Sequence, residues 1–258
     1  MRLCVDVGNT TIGLGFYQED ELITKLVLAT SINKLEDEYY ASIKLLIKEK
    51  GIELNEIKDI LYSSVVPRIN ETLLPALKSL FKEASIYTLD YHSPHLIKMD
   101  IDNPKELGSD LIADLVGAKN KYPLPLVIID FGTATKLLLI SKEGVFTSAL
   151  IMPGVEVAAK SLFSKAALLP EVDLNNYSNL LDSKNTVNCI KHGILFGHYE
   201  SIVGLVTRYE KEIGYKLNKV VTGGSATFFK NLFDESYIFD MNLVLDGENE
   251  ILKRIKEK

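Results

Sequence analysis

The chain has 258 residues, 47% of them hydrophobic and 25% charged, which is enough apolar material for a sizeable core and too much for a disordered protein. Its formal net charge of −6 disfavours a protein that binds a nucleic-acid backbone, because such proteins need a basic face. No apolar run reaches the roughly eighteen residues of a membrane span, and Asp6 interrupts the stretch where a signal peptide would be apolar. The length favours two domains or one large sheet.

Two cysteines, Cys4 and Cys189, are too few for a disulfide framework or a four-cysteine zinc site. This count predicts a protein of the reducing cytoplasm. Both cysteines lie among apolar residues, so both are expected to be buried structural thiols.

The first half of the chain alternates like three strands joined by tight turns and then takes on helical spacing. The predicted strands are residues 2–7, 11–17 and 22–28. A helix over 35–50, a strand over 57–66, a helix over 69–81 and a strand over 85–88 follow. The predicted order is therefore βββαβαβ.

A helix over residues 109–120 is predicted to link the two halves, and the second half then repeats the opening pattern. Its predicted strands are 124–130, 134–140, 145–152 and 219–222, and its predicted helices are 155–163, 186–209, 226–232 and 248–258.

Two similar turns mark this repeat, Asp6-Val7-Gly8-Asn9-Thr10-Thr11 and Asp130-Phe131-Gly132-Thr133-Ala134-Thr135. Self-similarity about half a chain apart indicates a duplicated domain. The layout is that of the actin-like and ribonuclease H-like α/β domains of the ASKHA superfamily, with mixed sheets and helices on both faces. The predicted domains are 1–115 and 116–258, with a cleft between them.

The repeated turns have the chemistry that a triphosphate and its magnesium ion require. Glycine lets the backbone approach closely, and the amides and hydroxyls that follow can donate to phosphate oxygens. Asp6 and Asp130 end their strands and could face a hydrated cation. One such turn alone would be read as an ordinary hairpin, but two copies favour phosphate binding. The motifs of Walker ATPases and dinucleotide enzymes are absent.

Two further features stay open on the sequence alone. Asp110, in the first turn of the linking helix, could accept the proton of an attacking hydroxyl, although an acid that merely suits the helix dipole is the commoner case. Thr222-Gly223-Gly224 could lie under a nucleotide or be a plain strand-to-helix turn. His192 and His198, six residues apart, do not have metal-ligand spacing and are expected to be surface or satisfied histidines.

The chain resembles the type III pantothenate kinases in a set of segments that occur in order. These are Asp6-Val7-Gly8-Asn9-Thr10, Ser64-Val65-Val66-Pro67, Asn103-Pro104-Lys105-Glu106-Leu107-Gly108-Ser109-Asp110, Asp130 to Thr135, Pro153-Gly154, Leu169-Pro170, Asn185-Thr186 and Thr222-Gly223-Gly224.

The resemblance implies ATP-dependent phosphorylation of pantothenate, the entry step of coenzyme A synthesis, by a homodimer. It implies ATP with Mg²⁺ and a monovalent cation, potassium or ammonium, at Asp130. The implied base is Asp110. ATP would bind at Asp6, Val7, Gly8, Asn9, Thr10, Thr11, Ile12, Gly13 and Thr133. Pantothenate would bind at Gly108, Ser109, Asp110, Leu111 and Thr186, the last of these from the same chain or from the partner subunit.

Two positions depart from the family pattern on the substrate side. The family usually has Arg where this chain has Leu111, and often Tyr where it has Ile101. Leucine cannot pair with a carboxylate or phosphate as arginine does. The alternatives are an ATP-binding regulator or assembly protein that has lost catalysis, and a phosphotransferase of the same superfamily that acts on another hydroxylated metabolite.

Overall fold

The computed structural model describes residues 1–166 and 168–257, which form two compact units. The first unit comprises residues 1–121 and 242–258, and the second comprises residues 122–241. These bounds differ from the predicted domains, 1–115 and 116–258, because the whole linking helix and the C-terminal helix pack with the first unit.

The first unit contains one five-stranded sheet in the order β3-β2-β1-β4-β5. The pairs β1–β2 and β2–β3 are antiparallel, and β1–β4 and β4–β5 are parallel. The strands of this sheet are β1 (Arg2–Val7), β2 (Thr11–Gln18), β3 (Glu21–Ala29), β4 (Asp59–Ser64) and β5 (Ser85–Thr88). The short strand β6 (Lys98–Met99) belongs to the residues of the first unit but not to this sheet. Its helices are α1 (Glu36–Glu49), α2 (Pro67–Leu80), α3 (Ser109–Lys121) and α6 (Leu243–Lys256).

The two faces of β1 serve different layers, as the period of two along a strand requires. Leu3, Val5 and Val7 join the core formed with α1 and α2. Cys4 points to the opposite face, where it packs with Tyr17 and with Leu245 of α6. Helices therefore cover both faces of this sheet.

The second unit repeats the same arrangement, with its strands in the order β11-β10-β7-β8-β9. Its strands are β7 (Leu126–Phe131), β8 (Ala134–Ile140), β9 (Val145–Pro153), β10 (Asn218–Thr222) and β11 (Tyr237–Phe239), and its helices are α4 (Val155–Lys165) and α5 (Thr186–Ile213). In both units, three strands joined by hairpins form an antiparallel meander, and two further strands add in parallel beside the first strand of that meander. The predicted fold class, duplicated actin-like α/β domains with mixed sheets, is confirmed.

Several local predictions are corrected by the structure. The helix predicted over 226–232 is a short 3-10 helix, Gly224–Phe229, and β6 and β11 were not predicted. Helix α6 begins at Leu243, five residues before the predicted start at Glu248. Cys4 is buried as predicted, but Cys189 is exposed because it lies on the outer side of α5.

The two histidines of α5 are satisfied, as the sequence predicts. His192 is buried with its Nδ1 2.7 Å from the hydroxyl of Ser183, and His198 is buried with its Nε2 2.9 Å from the hydroxyl of Thr135. Over the described residues, the helices are all too short or too polar to cross a bilayer.

Candidate active site

The first glycine turn joins β1 to β2 and is fixed by its own backbone and by Thr30. The Gly8 amide donates to the Thr11 carbonyl at 3.0 Å, and the Thr30 hydroxyl donates to the Gly8 carbonyl at 2.7 Å. Asn9, Thr10 and Thr11 are exposed at its tip. The turn therefore presents amide and hydroxyl groups from a rigid backbone.

The flanking residues of this turn have structural positions. Val7 and Ile12 pair across the hairpin and are buried in the core of the first unit. Asp6, the last residue but one of β1, lies opposite Gly13, and both are partly buried. Of the eight predicted ATP-binding residues here, Val7 and Ile12 can thus contribute through their backbones but not through their side chains.

The second glycine turn joins β7 to β8 and is braced from two sides. The Gly154 amide donates to the Thr133 carbonyl at 3.1 Å, and a Cβ at Gly154 would lie 2.5 Å from that same oxygen. The buried hydroxyl of Thr135 is bonded to His198 of α5. Thr133, between these fixed points, is exposed.

Asp130, the last residue but one of β7, has a cationic partner on the adjacent strand β8. Its Oδ2 lies 2.8 Å from the Nζ of Lys136, and the two side chains are only 11% and 16% exposed. Its Oδ1 faces Gly223, where a Cβ would overlap it. The family resemblance gives no hint of this partner, but the hairpin register does, because Asp130 and Lys136 are directly opposite on β7 and β8.

Asp110 lies in the first turn of α3, and the adjoining residues fix its carboxylate. Its Oδ1 accepts the Leu111 amide at 2.8 Å, and a Cβ at Gly108 would approach that oxygen to 2.5 Å. Ser109 shares a hydrogen bond of 2.9 Å with Ser63 of β4. The helix N-terminus and a glycine therefore set the orientation of the predicted base.

Leu111, the position where the family usually has arginine, is a buried residue of α3. Its side chain is 7% exposed. An apolar side chain that is buried here cannot contact a substrate carboxylate. Gly108, Ser109 and Asp110 are partly exposed and are the members of this segment that a substrate can reach.

Glu248 of α6 was not among the predicted site residues, yet it lies among acidic residues of the candidate site. It is fully buried in the first unit. Burial raises its pKa well above the usual value, as do the charges of Asp6, Asp110 and Asp114, and the Ser63 hydroxyl opposes that rise. A signal in the sequence points to this residue: Glu248 lies three residues after Leu245 and four before Leu252, which places an acid on the apolar face of a helix.

Thr186, the remaining predicted substrate residue, is exposed at the start of α5 in the second unit. Asn185 caps this helix by accepting the Asn188 amide at 2.9 Å. Thr186 borders an open groove of about 640 Å³ whose other walls include Leu162, Leu169, Lys184, Cys189 and Ile194.

Comparisons with known proteins identify the family of the chain. A family model described as type III pantothenate kinase matches residues 2–208, which include both glycine turns, Asp110 and Thr186. A type III pantothenate kinase of Brevibacillus brevis is 31% identical over 257 residues, covering 98% of this chain and 99% of its own length.

Two solved structures share the fold alone. One, from Campylobacter jejuni and described as a Baf family transcriptional activator, has a TM-score of 0.60 at 20% identity and covers 99% of this chain and all of its own. The other, component A of (R)-2-hydroxyglutaryl-CoA dehydratase from Acidaminococcus fermentans, has a TM-score of 0.54 at 15% identity, with coverage of 97% and 95%. On the strength of the family match and the full-length relative, the chain belongs to the type III pantothenate kinase family.

Proposed function

We propose that this chain catalyses the reaction of its family, the transfer of the γ-phosphoryl group of ATP to the primary hydroxyl of pantothenate at the start of coenzyme A synthesis. The observation that carries the proposal is the family relationship, which extends over nearly the whole chain and includes every segment of the candidate site. Phosphoryl transfer requires little covalent chemistry from a protein, so hydrogen-bond donors that position the phosphates and one base that accepts the hydroxyl proton are sufficient.

ATP is bound by the first turn, residues 6–13, with Thr133 of the second turn on its phosphates. The rigid backbone of Gly8 and the exposed tip residues support this assignment. When bound, Mg²⁺ would draw charge from the transferring phosphoryl group. Asp6 is suited to hold it, because magnesium usually combines one or two carboxylates with substrate phosphates.

Asp110 accepts the proton of the pantothenate hydroxyl. Its carboxylate is held by the Leu111 amide and is partly exposed, so it can meet a substrate without rearranging. Gly108 and Ser109 line the substrate beside it, and Thr186 provides a further contact. Leu111 contributes its backbone amide, which orients the base.

The test of this assignment is ADP release by Asp110→Asn with pantothenate and with no acceptor. We expect kcat to fall by about 10² to 10⁴ while ATP still binds, since only proton transfer is removed. Asp102→Asn, an exposed aspartate in the loop before α3, is the matched control and should retain normal activity. Near-normal turnover by Asp110→Asn would remove Asp110 from this role.

A second candidate function is an ATP-binding regulator without catalysis. The buried Leu111 favours it, since that side chain leaves the substrate without the family's arginine. ATP binding by calorimetry with no ADP release for pantothenate would support this candidate. ADP release with another hydroxylated acid or sugar would instead indicate a different acceptor.

The homodimer forms through the exposed apolar surface of α4, α5 and the segments between them. Large side chains there are open to solvent, with Leu168 97% and Leu181 86% exposed. Val157, Leu162, Leu180 and Val187 of the same elements and segments are exposed as well. A concentration of large exposed apolar residues in neighbouring segments of a chain is typical of a subunit interface.

Light scattering on the purified protein should therefore give the mass of two chains. Leu181→Asp should shift it to one chain, whereas Leu45→Asp, on an exposed site of α1, should not. A parent protein that is monomeric at micromolar concentration would contradict this interface. We also place the protein in the cytoplasm, in keeping with its two free cysteines.

The potassium or ammonium ion that the resemblance implies at Asp130 does not fit this chain. The carboxylate is already neutralised by an ammonium group within the same hairpin. No step of the proposed reaction is assigned to a free monovalent cation.

A further inference from the structure

The ion pair between Asp130 and Lys136 joins the two strands on either side of the second glycine turn, the turn that contains Thr133. The two residues are directly opposite each other on β7 and β8, which places the ammonium group beside the carboxylate without any loop to position it. On its other side, Lys136 is paired with Ile151 of β9, so it belongs to an inner strand of the sheet. Pairing with Asp130 on one side and Ile151 on the other fixes the backbone position of Lys136.

Burial makes this pair an obligatory one. The Asp130 side chain is 11% exposed, and an ionised carboxylate with so little water needs a cation beside it. One of its oxygens, Oδ1, faces Gly223 and lies where any side chain at position 223 would be. The remaining oxygen, Oδ2, is the one that Lys136 contacts at 2.8 Å.

A lysine ammonium group and a bound potassium or ammonium ion offer the same charge. Each supplies one positive charge to a carboxylate and to nearby phosphate oxygens. The lysine differs in being tethered, so it does not dissociate and its presence does not depend on the salt. An added ion at the same oxygen would be repelled by a positive charge that is already within hydrogen-bond distance of it.

We propose that the ammonium group of Lys136 is a built-in replacement for the monovalent cation of this turn, so that the protein needs neither potassium nor ammonium. The activity readout of this inference rests on the proposed function; the stability readout does not. It also assigns a role to Lys136 as a positioning residue, which keeps Asp130 in place and offsets the negative charge of Asp130 beside the second glycine turn.

The first experiment compares ADP release in potassium, ammonium and sodium salts at equal ionic strength. The parent protein should show equal rates in all three. Lys136→Met should lose activity by about tenfold or more in sodium and recover in potassium or ammonium, because the vacated carboxylate can then bind a small cation. Lys219→Met is the matched control: Lys219 is also 16% exposed and also faces a carboxylate, that of Glu210 at 3.8 Å.

The control should be less stable than the parent but equally active in the three salts. Melting temperatures provide the second readout, since an ion that binds only the folded state stabilises it by mass action. For the parent, the melting temperature in sodium should equal that in potassium, and the same should hold for Lys219→Met. Lys136→Met should melt higher in potassium or ammonium. If that variant does not fold, Lys136→Gln, which keeps a polar head, takes its place.

Strong stimulation of the parent by potassium would overturn the inference. So would a folded Lys136→Met or Lys136→Gln variant that responds to no cation in either assay. A parent protein that releases no ADP with pantothenate in any salt would contradict the proposed function instead, and the melting temperatures would still decide the role of Lys136.

Discussion

Adjacent glycines after β10 differ in how much space surrounds them. Gly223 has a φ of +92°, and a Cβ there would lie 2.5 Å from the Phe131 nitrogen and would overlap Asp130 Oδ1. Gly224 has no heavy atom within 4 Å of the corresponding position. Of this pair, only Gly223 is required by the backbone and by its contact with the second glycine turn.

We therefore expect Gly223→Ala to destabilise the protein by roughly 2–4 kcal/mol, because both the left-handed backbone and the contact with Asp130 are violated. Gly224→Ala should change the free energy of unfolding little. Urea denaturation of the two variants measures this difference. Equal stabilities would show that the turn can relax around a methyl group at position 223.

Glu248 is a second residue whose surroundings decide its ionisation. Its raised pKa means that the folded protein holds a proton which the unfolded chain releases above its ordinary pKa of 4.5. The contribution of this residue to stability is therefore present at low pH and is lost as the pH rises.

Glu248→Gln should raise the melting temperature at pH 8, since glutamine is neutral without taking up a proton. The gain should shrink as the pH falls towards 5, where glutamate is protonated more easily. Glu250→Gln, on the same helix but paired with Lys253 and Arg254, should not stabilise the protein. A Glu248→Gln variant that is less stable than the parent at every pH would indicate an ionised Glu248 with a partner.

Helix α5 supports the second glycine turn through one buried histidine. The ring of His198 stacks on Phe229, with ring centroids 5.5 Å apart, and its Nε2 shares a hydrogen bond with Thr135. Desolvation lowers the pKa of His198, so the folded protein keeps it neutral at a pH where the unfolded chain binds a proton. Its contribution to stability is complete above about pH 6.5 and declines as the pH falls through that value.

We expect the melting temperature of the parent to fall between pH 7 and pH 5.5. The variant His198→Gln should melt lower overall, because it loses the ring contacts, but with a flatter dependence on pH. His92→Gln, in an exposed loop, should keep the slope of the parent. An unchanged slope in His198→Gln would assign the pH dependence to other groups.

The elements that the sequence predicts well are those whose pattern is local. Tyr39, Ile43 and Ile47 of α1 recur at intervals of four and are all buried, so spacing alone predicts this helix. The two hairpins were also predictable, because each glycine turn separates strands that alternate in polarity. The pairing of Asp130 with Lys136 is also predictable, because it follows from the register of the second hairpin.

Other features depend on contacts between distant parts of the chain. The place of α6 in the first unit is set by Gly117 and Gly247, which let α3 and α6 approach so closely that a Cβ at Gly247 would overlap the Ala113 carbonyl oxygen. Periodicity gives the apolar face of a helix but not the surface that this face covers. The same limit applies to Glu248, whose acidic neighbours come from β1 and α3.

At the scale of the whole molecule, the chain leaves the first unit after α3 and returns to it with α6. This helix buries Leu243, Leu245, Ile251 and Leu252. Two polar contacts tie it down: the Tyr17 hydroxyl donates to Asp246 at 2.6 Å, and Lys121 lies 2.7 Å from the same carboxylate. The sheet of the first unit thus has one of its faces covered by the last residues of the sequence.

Removal of residues 242–258 should therefore unfold the first unit, although it carries Asp110 and the first glycine turn. Fully burying one leucine or isoleucine side chain stabilises a protein by about 1.5–3 kcal/mol. The loss of four such side chains is therefore comparable to the whole free energy of unfolding of a typical domain, roughly 5–15 kcal/mol. Removal of residues 257 and 258 alone, beyond the end of α6, is the control and should leave the melting temperature unchanged.

Limited proteolysis distinguishes the outcomes: the long truncation should yield a resistant fragment from residues 122–241 and rapid cleavage within 1–121. A truncated protein that keeps residues 1–121 resistant to protease would show that the first unit folds without α6.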